Sequence, residues 1–106
     1  MKKKKLNIAI IGLGNIGAYL FNYLKKNKHI LSKRNNCIPN VVYVSARNKK
    51  KKRGFYIGKD LWLRNYLEAT KSNKVDIIIE LIGGSEGPAK KLVFEALKNK
   101  KHVVTA

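Results

Sequence analysis

At 106 residues the chain is long enough for one small domain and no more. Its formal charge is +18, yet 20 of its 24 cationic side chains are lysine. Lys shares A/T-rich codons with Asn and Ile, which are abundant too, so genomic composition accounts for the bias without a polyanionic partner.

Specific nucleic-acid binding is therefore not expected, although weak, salt-sensitive adhesion is. The scattered lysines, among them Lys25, Lys26, Lys28, Lys98, Lys100 and Lys101, read as solvated faces and helix ends, where cations complement the dipole. One cysteine, Cys37, has no partner for an internal disulfide and reads as a bystander thiol in a polar loop. Lys2 to Lys5 resemble the basic start of a signal peptide, but Gly12 and Gly14 interrupt the apolar run behind them, and no stretch reaches membrane-spanning length. A soluble, cytoplasmic protein is expected, with no membrane partner. His29 and His102 lack an acidic or cysteine companion, so no metal site is expected.

Ile8 to Ile11 form a short continuous apolar run, the pattern of a parallel strand covered on both faces. Gly12, Gly14 and Gly17 follow directly in G-x-G-x-x-G spacing. Ile16, Tyr19, Leu20, Tyr23 and Leu24 then predict the apolar stripe of a helix from about Asn15 to Asn27. Strand, glycine turn and helix in that order supply the context that a bare glycine motif lacks. Gly12 permits a sharp turn off the strand, Gly14 removes a side chain where a pyrophosphate approaches, and Gly17 lets the helix pack closely. Amides around Asn15 and Ile16 then face the phosphates with the positive end of the helix dipole behind them. The competing reading is a glycine-rich turn in some other α/β protein.

His29 to Asn40 reads as a polar loop, Val41 to Ala46 as a second parallel strand, and Arg47 to Lys59 as a solvated basic loop. Asp60 is placed as the cap of a helix carrying Leu63, Tyr66 and Leu67, where a third strand and its crossover would be expected. Val75 to Ile82 predicts a buried strand ended by Gly83 and Gly84. Pro88 opens the next helix, with Gly87 or Ser85 as cap and Ala89, Leu92, Val93, Ala96 and Leu97 as its apolar face. Lys101 to Ala106 returns as a strand. The pattern is α/β, a Rossmann-like doubly wound parallel sheet, and 106 residues hold one and a half βαβαβ halves at most. The chain is accordingly read as a fragment, a dinucleotide-binding domain over residues 1–106 cut short at its C-terminal end.

An enzyme preferring NAD places Asp or Glu near the end of the second strand to accept from the ribose hydroxyls. No acidic residue occurs here between Gly17 and Asp60, and the strand ends Ser45-Ala46-Arg47-Asn48-Lys49. Arg47 suits a 2′-phosphate, since its planar guanidinium can stack on adenine or fork onto phosphate, so NADP is favoured and NAD remains possible. Against this, Arg47 is one more cation in a basic chain.

Gly12-Leu13-Gly14-Asn15-Ile16-Gly17, Ser45 to Asn48, Val75 to Gly84, Gly87-Pro88-Ala89 and Lys101-His102-Val103-Val104-Thr105-Ala106 together resemble homoserine dehydrogenase. The likeness covers nearly the whole chain. It implies NAD(P)H-dependent, reversible reduction of L-aspartate 4-semialdehyde to L-homoserine, on the route to threonine, methionine and isoleucine. Carried over by position, Asn15 and Ile16 contact the pyrophosphate, Arg47 the adenosine ribose or its phosphate, Ile82 and Gly83 lie along the cofactor, and Thr105 approaches the nicotinamide. The resemblance further implies an active-site lysine in an Asn-Lys pair just past Ala106, a separate substrate domain, and dimerisation through that missing part. No catalytic residue is expected in this chain, which alone should be inactive. The alternative is a non-enzymatic dinucleotide-binding regulatory module.

Overall fold

The apolar run after Asn7 is an inner strand of a parallel sheet in the computed structural model, which describes residues 3–83 and 86–106. The elements are β1 (Lys4–Ile11), α1 (Asn15–Arg34), β2 (Cys37–Ser45), a 3-10 turn (Lys59–Leu61), α2 (Glu68–Lys71), β3 (Ile77–Glu80), α3 (Pro88–Lys98) and β4 (His102–Thr105). Strand order is β2-β1-β3-β4, and every pairing is parallel. Ile8 and Ile10 pack with Phe21 of α1 on one face, while Ala9 and Ile11 pack with Ala69 of α2 and Leu92 and Ala96 of α3 on the other. Alternation along a strand thus feeds two apolar layers, which is why β1 carries no polar residue after Asn7.

The chain leaves β1 for β2 on one side and then crosses to β3 on the other, so the direction of winding reverses between β1 and β3. In an open parallel sheet that reversal leaves a crevice at the carboxyl ends of the strands. A bulge sharpens the twist nearby: register shifts between Ile8 and Ala9, whose partners are Val41 and Tyr43. The extra residue, Val42, packs in the same apolar layer as Tyr43, and Val44 then returns to the α1 side with Ile10.

Several boundaries differ from the sequence expectations. α1 continues to Arg34 rather than stopping near Asn27, because residues 28–34 contain no Gly or Pro. Lys33 and Arg34 sit in its last turn, and Asn35 closes it through its backbone N–H and side-chain amide, both donating to the Leu31 carbonyl. β2 begins at Cys37, not Val41, so Cys37 lies in a strand opposite Lys4 rather than in a loop. Pro39 is tolerated inside it because β2 is an edge strand over most of its length. Asp60 falls in the 3-10 turn and caps no α-helix. Where a third strand was expected, Trp62 makes one parallel bridge to Val44, and Leu63 N–H donates to the Val44 carbonyl at 3.0 Å. Gly87, at φ 73°, is the N-cap of α3, while Gly84 and Ser85 lie outside the described residues.

The apolar stripe of α1 is also turned by one position. Gly17 and Phe21 are buried, with Leu20 and Leu24 beside them, whereas Ile16 and Tyr19 are 71% and 72% exposed. Gly17 must face the sheet because a Cβ there would strike the Gly12 carbonyl oxygen. That contact fixes the helix rotation and carries Ile16, Tyr19 and Tyr23 outward. In α3, Leu97 is likewise exposed, leaving Ala89, Leu92 and Ala96 as the buried face.

Lys101 departs from the reading of the lysines as solvated. Its ammonium is part-buried and donates to the carbonyls of Ser72 at 2.6 Å and Val75 at 2.8 Å, fastening the start of β4 to the turn before β3. Lys101→Met keeps the apolar stem and removes both charge-assisted bonds. It is expected to lower the unfolding free energy by about 2 kcal/mol, read as a shifted urea midpoint at unchanged slope. Among the described residues no helix is long and apolar enough to cross a membrane.

Candidate functional site

The carboxyl ends of β1, β2 and β3 are tied together by main-chain bonds. Gly12 N–H and Leu13 N–H both donate to the Ser45 carbonyl, at 2.9 and 3.0 Å, and Leu81 N–H donates to the Ile11 carbonyl at 2.8 Å. Gly12 turns off β1 with φ at +104°, and its α-carbon sits so close to the Leu81–Ile82 peptide that a Cβ would lie 2.6 Å from the Ile82 nitrogen. Leu13 is buried, with its side chain in the apolar layer of Ile10 and Phe21. Gly14 is different. A Cβ there would meet nothing within 4 Å, so its missing side chain keeps space open rather than permitting a contact.

Gly14 is also the N-cap of α1, and no side chain caps that end. The first-turn amides at Asn15, Ile16 and Gly17 have no intrahelical acceptor by the geometry of a helix start. Bare amides, an open approach and the positive dipole end form an anion-binding arrangement. A crevice of about 490 Å³ opens beside it, bordered by Gly12 to Gly14, by Ser45 to Asn48 at the end of β2, by Lys51 and Arg53, and by Leu81, Ile82 and Pro88. Of the residues singled out from sequence, Gly12, Leu13, Gly14, Arg47 and Ile82 meet around this one crevice. Asn15 borders the adjoining hollow on the α1 side, where Lys51 Nζ lies 3.4 Å from its Oδ1. Ile16 projects to solvent, so only its amide can face an anion at the helix start. Gly83, at φ +90°, and Thr105, in register with Glu80, lie at the same carboxyl edge of the sheet but outside the crevice lining.

Glu80 is 3% exposed, and its Oε2 accepts from Ile82 N–H at 2.7 Å and Gly83 N–H at 3.3 Å. The carboxylate therefore shapes the corner after β3 that faces Gly12, and it is directed at the backbone rather than toward solvent.

The basic stretch expected to be a solvated loop is organised by a residue the sequence reading passed over. Arg53 Nε donates to the Leu13 carbonyl at 3.1 Å, Nη1 to the carbonyls of Lys49 and Lys51 at 3.2 and 2.9 Å, and Nη2 to that of Asn48 at 2.7 Å. Its guanidinium carbon stands 5.5 Å from the centre of the Trp62 ring, as does the Lys49 ammonium. One signal was available: Arg53 is an arginine closing a run of four lysines, and Arg differs from Lys in having a planar fork. No spacing rule marked its partners, which are carbonyls and invisible to residue type.

Residues 12–106 match the family described as homoserine dehydrogenase, NAD binding domain. The Bacillus subtilis homoserine dehydrogenase is 29% identical over 103 residues, covering 97% of this chain and 24% of that protein. The crystal structure of S. aureus homoserine dehydrogenase superposes with a TM-score of 0.86 at 35% identity, over 99% of this chain and 26% of the other. A hyperthermophilic archaeal homoserine dehydrogenase in complex with NADPH shares the fold, with a TM-score of 0.68 at 21% identity, over 95% of this chain and 35% of that one. The chain thus spans about a quarter of the length of the Bacillus subtilis and S. aureus relatives. With a glycine turn, four parallel strands and this match over nearly all its residues, the chain belongs to the homoserine dehydrogenase family, as its NAD-binding domain.

Proposed function

We propose that the chain is the cofactor-binding part of an NADP-linked homoserine dehydrogenase. In that reading the whole enzyme reduces L-aspartate 4-semialdehyde reversibly to L-homoserine, and this part alone holds the dinucleotide and catalyses nothing. The observation that carries it is the uncapped α1 start beside a crevice whose rim holds Arg47, Lys51 and Arg53. Amides at Asn15 to Gly17 would receive the pyrophosphate, with Gly14 leaving room for it. Ile82 and Gly83 would lie along the ligand, and Thr105 would stand toward its nicotinamide end, at the carboxyl edge where ligands of such sheets gather. When bound, the reduced nicotinamide supplies a hydride, and the chain's own residues fix its place. Catalytic groups, the substrate site and a dimer contact belong in this reading to sequence outside the chain, and the setting is cytoplasmic.

Two features support NADP over NAD. Arg47 borders the crevice just past β2, and no carboxylate stands at that strand end among residues 17 to 59. The archaeal relative described above is a complex with NADPH. Calorimetric titration of NADPH and NADH into wild type and Arg47→Ala tests the assignment. The substitution is expected to weaken NADPH about 10- to 100-fold, the value of a charge-assisted phosphate contact, and to leave NADH within threefold. Equal losses for both ligands would contradict the role given to Arg47.

A further inference from the structure

Arg53 is the most heavily bonded side chain on the rim, and its partners are all main-chain carbonyls. Four of the five guanidinium N–H groups are engaged, by Leu13 in the glycine turn and by Asn48, Lys49 and Lys51 in the basic loop. Leu13 and the loop are otherwise 35 or more residues apart in sequence. Asn48 adds a local brace, its Oδ1 accepting from Lys50 N–H at 3.1 Å and its carbonyl from Lys51 N–H at 3.3 Å. Lys49 and Arg53 also set their cations against the Trp62 ring, and Trp62 is anchored to β2 by its bridge to Val44.

This arrangement answers an electrostatic difficulty. Residues 47 to 53 carry six cations and no acid, and unrestrained they would spread apart in solvent. We propose that Arg53 is a positioning residue for cofactor selectivity: by binding loop carbonyls and the Leu13 carbonyl together, it holds Arg47 at the crevice, where Arg47 meets a 2′-phosphate that Arg53 itself does not touch. The inference rests on the reading that the ligand is a 2′-phosphorylated dinucleotide. Its content is geometric. Carbonyls gathered around one guanidinium fix the backbone that follows Arg47 at the crevice rim, so the anion meets a preset charge instead of having to order the loop. Pre-organised charges bind without the ordering cost that a free loop carries.

Arg53→Lys separates this role from simple charge. A lysine keeps the positive charge, and a direct phosphate contact would largely survive, but one ammonium cannot reproduce the four-way fork. NADPH and NADH are titrated calorimetrically into wild type, Arg53→Lys and Arg53→Ala, and the emission of Trp62, the single tryptophan, is recorded on each ligand-free protein. Both substitutions are expected to reduce the NADPH-to-NADH affinity ratio about tenfold, with a displaced Trp62 emission maximum and with NADH binding changed less than threefold. The ratio is taken on one sample, so a lower folded fraction does not move it. Retention of the wild-type ratio by Arg53→Lys overturns the inference, as does an equal loss of both ligands. A wild-type protein without preference between the two refutes the ligand reading instead, and the inference falls with it.

Discussion

Gly12→Ala is expected to lower the unfolding free energy by about 3 kcal/mol or more, through two costs that cannot be relieved together. The residue sits at φ +104°, outside the region an L side chain adopts readily. Its new Cβ would lie 2.5 Å from the Leu81 carbonyl carbon and 2.6 Å from the Ile82 nitrogen. Both are backbone atoms, so no rotamer change gives way. Relief requires the end of β3 to move off β1, which breaks the Leu81 N–H to Ile11 carbonyl bond at 2.8 Å and disturbs the corner that Glu80 braces. For a domain of this length, total stability is on the order of 5–15 kcal/mol, so the loss is a large share of it. Urea unfolding followed by far-ultraviolet circular dichroism reads the change. A midpoint that falls by less than the equivalent of about 1 kcal/mol would mean that β1 and β3 do not approach as closely as described.

The same turn shows why much of this protein could be read from its sequence. Ile8 to Ile11, Gly12, Gly14, Gly17 and the start of α1 are consecutive, and each constraint is local: an apolar run, a positive φ, a helix start. The α/β order and the strands around Ile77–Glu80 and His102–Thr105 were legible for the same reason. The misreadings arise where a distant contact decides. The rotation of α1 is set by Gly17 against Gly12, so the apparent stripe of Ile16, Tyr19 and Tyr23 faces out although its spacing is helical. Asn35, Asn36 and Pro39 suggested a loop, because the sequence does not show that β2 has a free edge at that end. The Trp62 bridge replaces a whole strand with one residue, which no periodicity reports. In the site, glycines and Arg47 were visible as residue types in a spacing rule. Arg53 was not, because its chemistry lies in the carbonyls it gathers.

The charge of the chain also gains a structural explanation in part. Lys101 holds two carbonyls inside the fold, Arg53 holds four, and Lys33 and Arg34 complement the end of α1. Cations used this way are bound to backbone, not displayed for a polyanion. The sole ion pair between side chains among the described residues, Lys90 with Glu86 at 3.4 Å, is exposed and adds little. A crevice rimmed by unneutralised cations is consequently a place where one small anionic ligand gains more than its contacts alone provide, since it relieves repulsion already present.

Gly14→Asp turns that logic into opposite signs for stability and binding. Gly14 has φ −77° and ψ −156°, which any residue adopts, and open space where a side chain would go. It is the N-cap of α1, a position where Asp is preferred over Gly by a few tenths of a kcal/mol and where a negative charge gains roughly 0.5 kcal/mol from the helix dipole. The variant is therefore expected to unfold at a slightly higher urea concentration than wild type. Its carboxylate, however, would accept from the same first-turn amides proposed to hold the pyrophosphate. Two negative charges about 4 Å apart repel by about 4 kcal/mol at an effective dielectric of about 20. Affinity for NADPH and NADH alike should fall at least about 100-fold, since the pyrophosphate is common to both. Calorimetric titration beside urea unfolding separates the two effects on one preparation. A folded variant that binds either dinucleotide within threefold of wild type would place the diphosphate away from the start of α1.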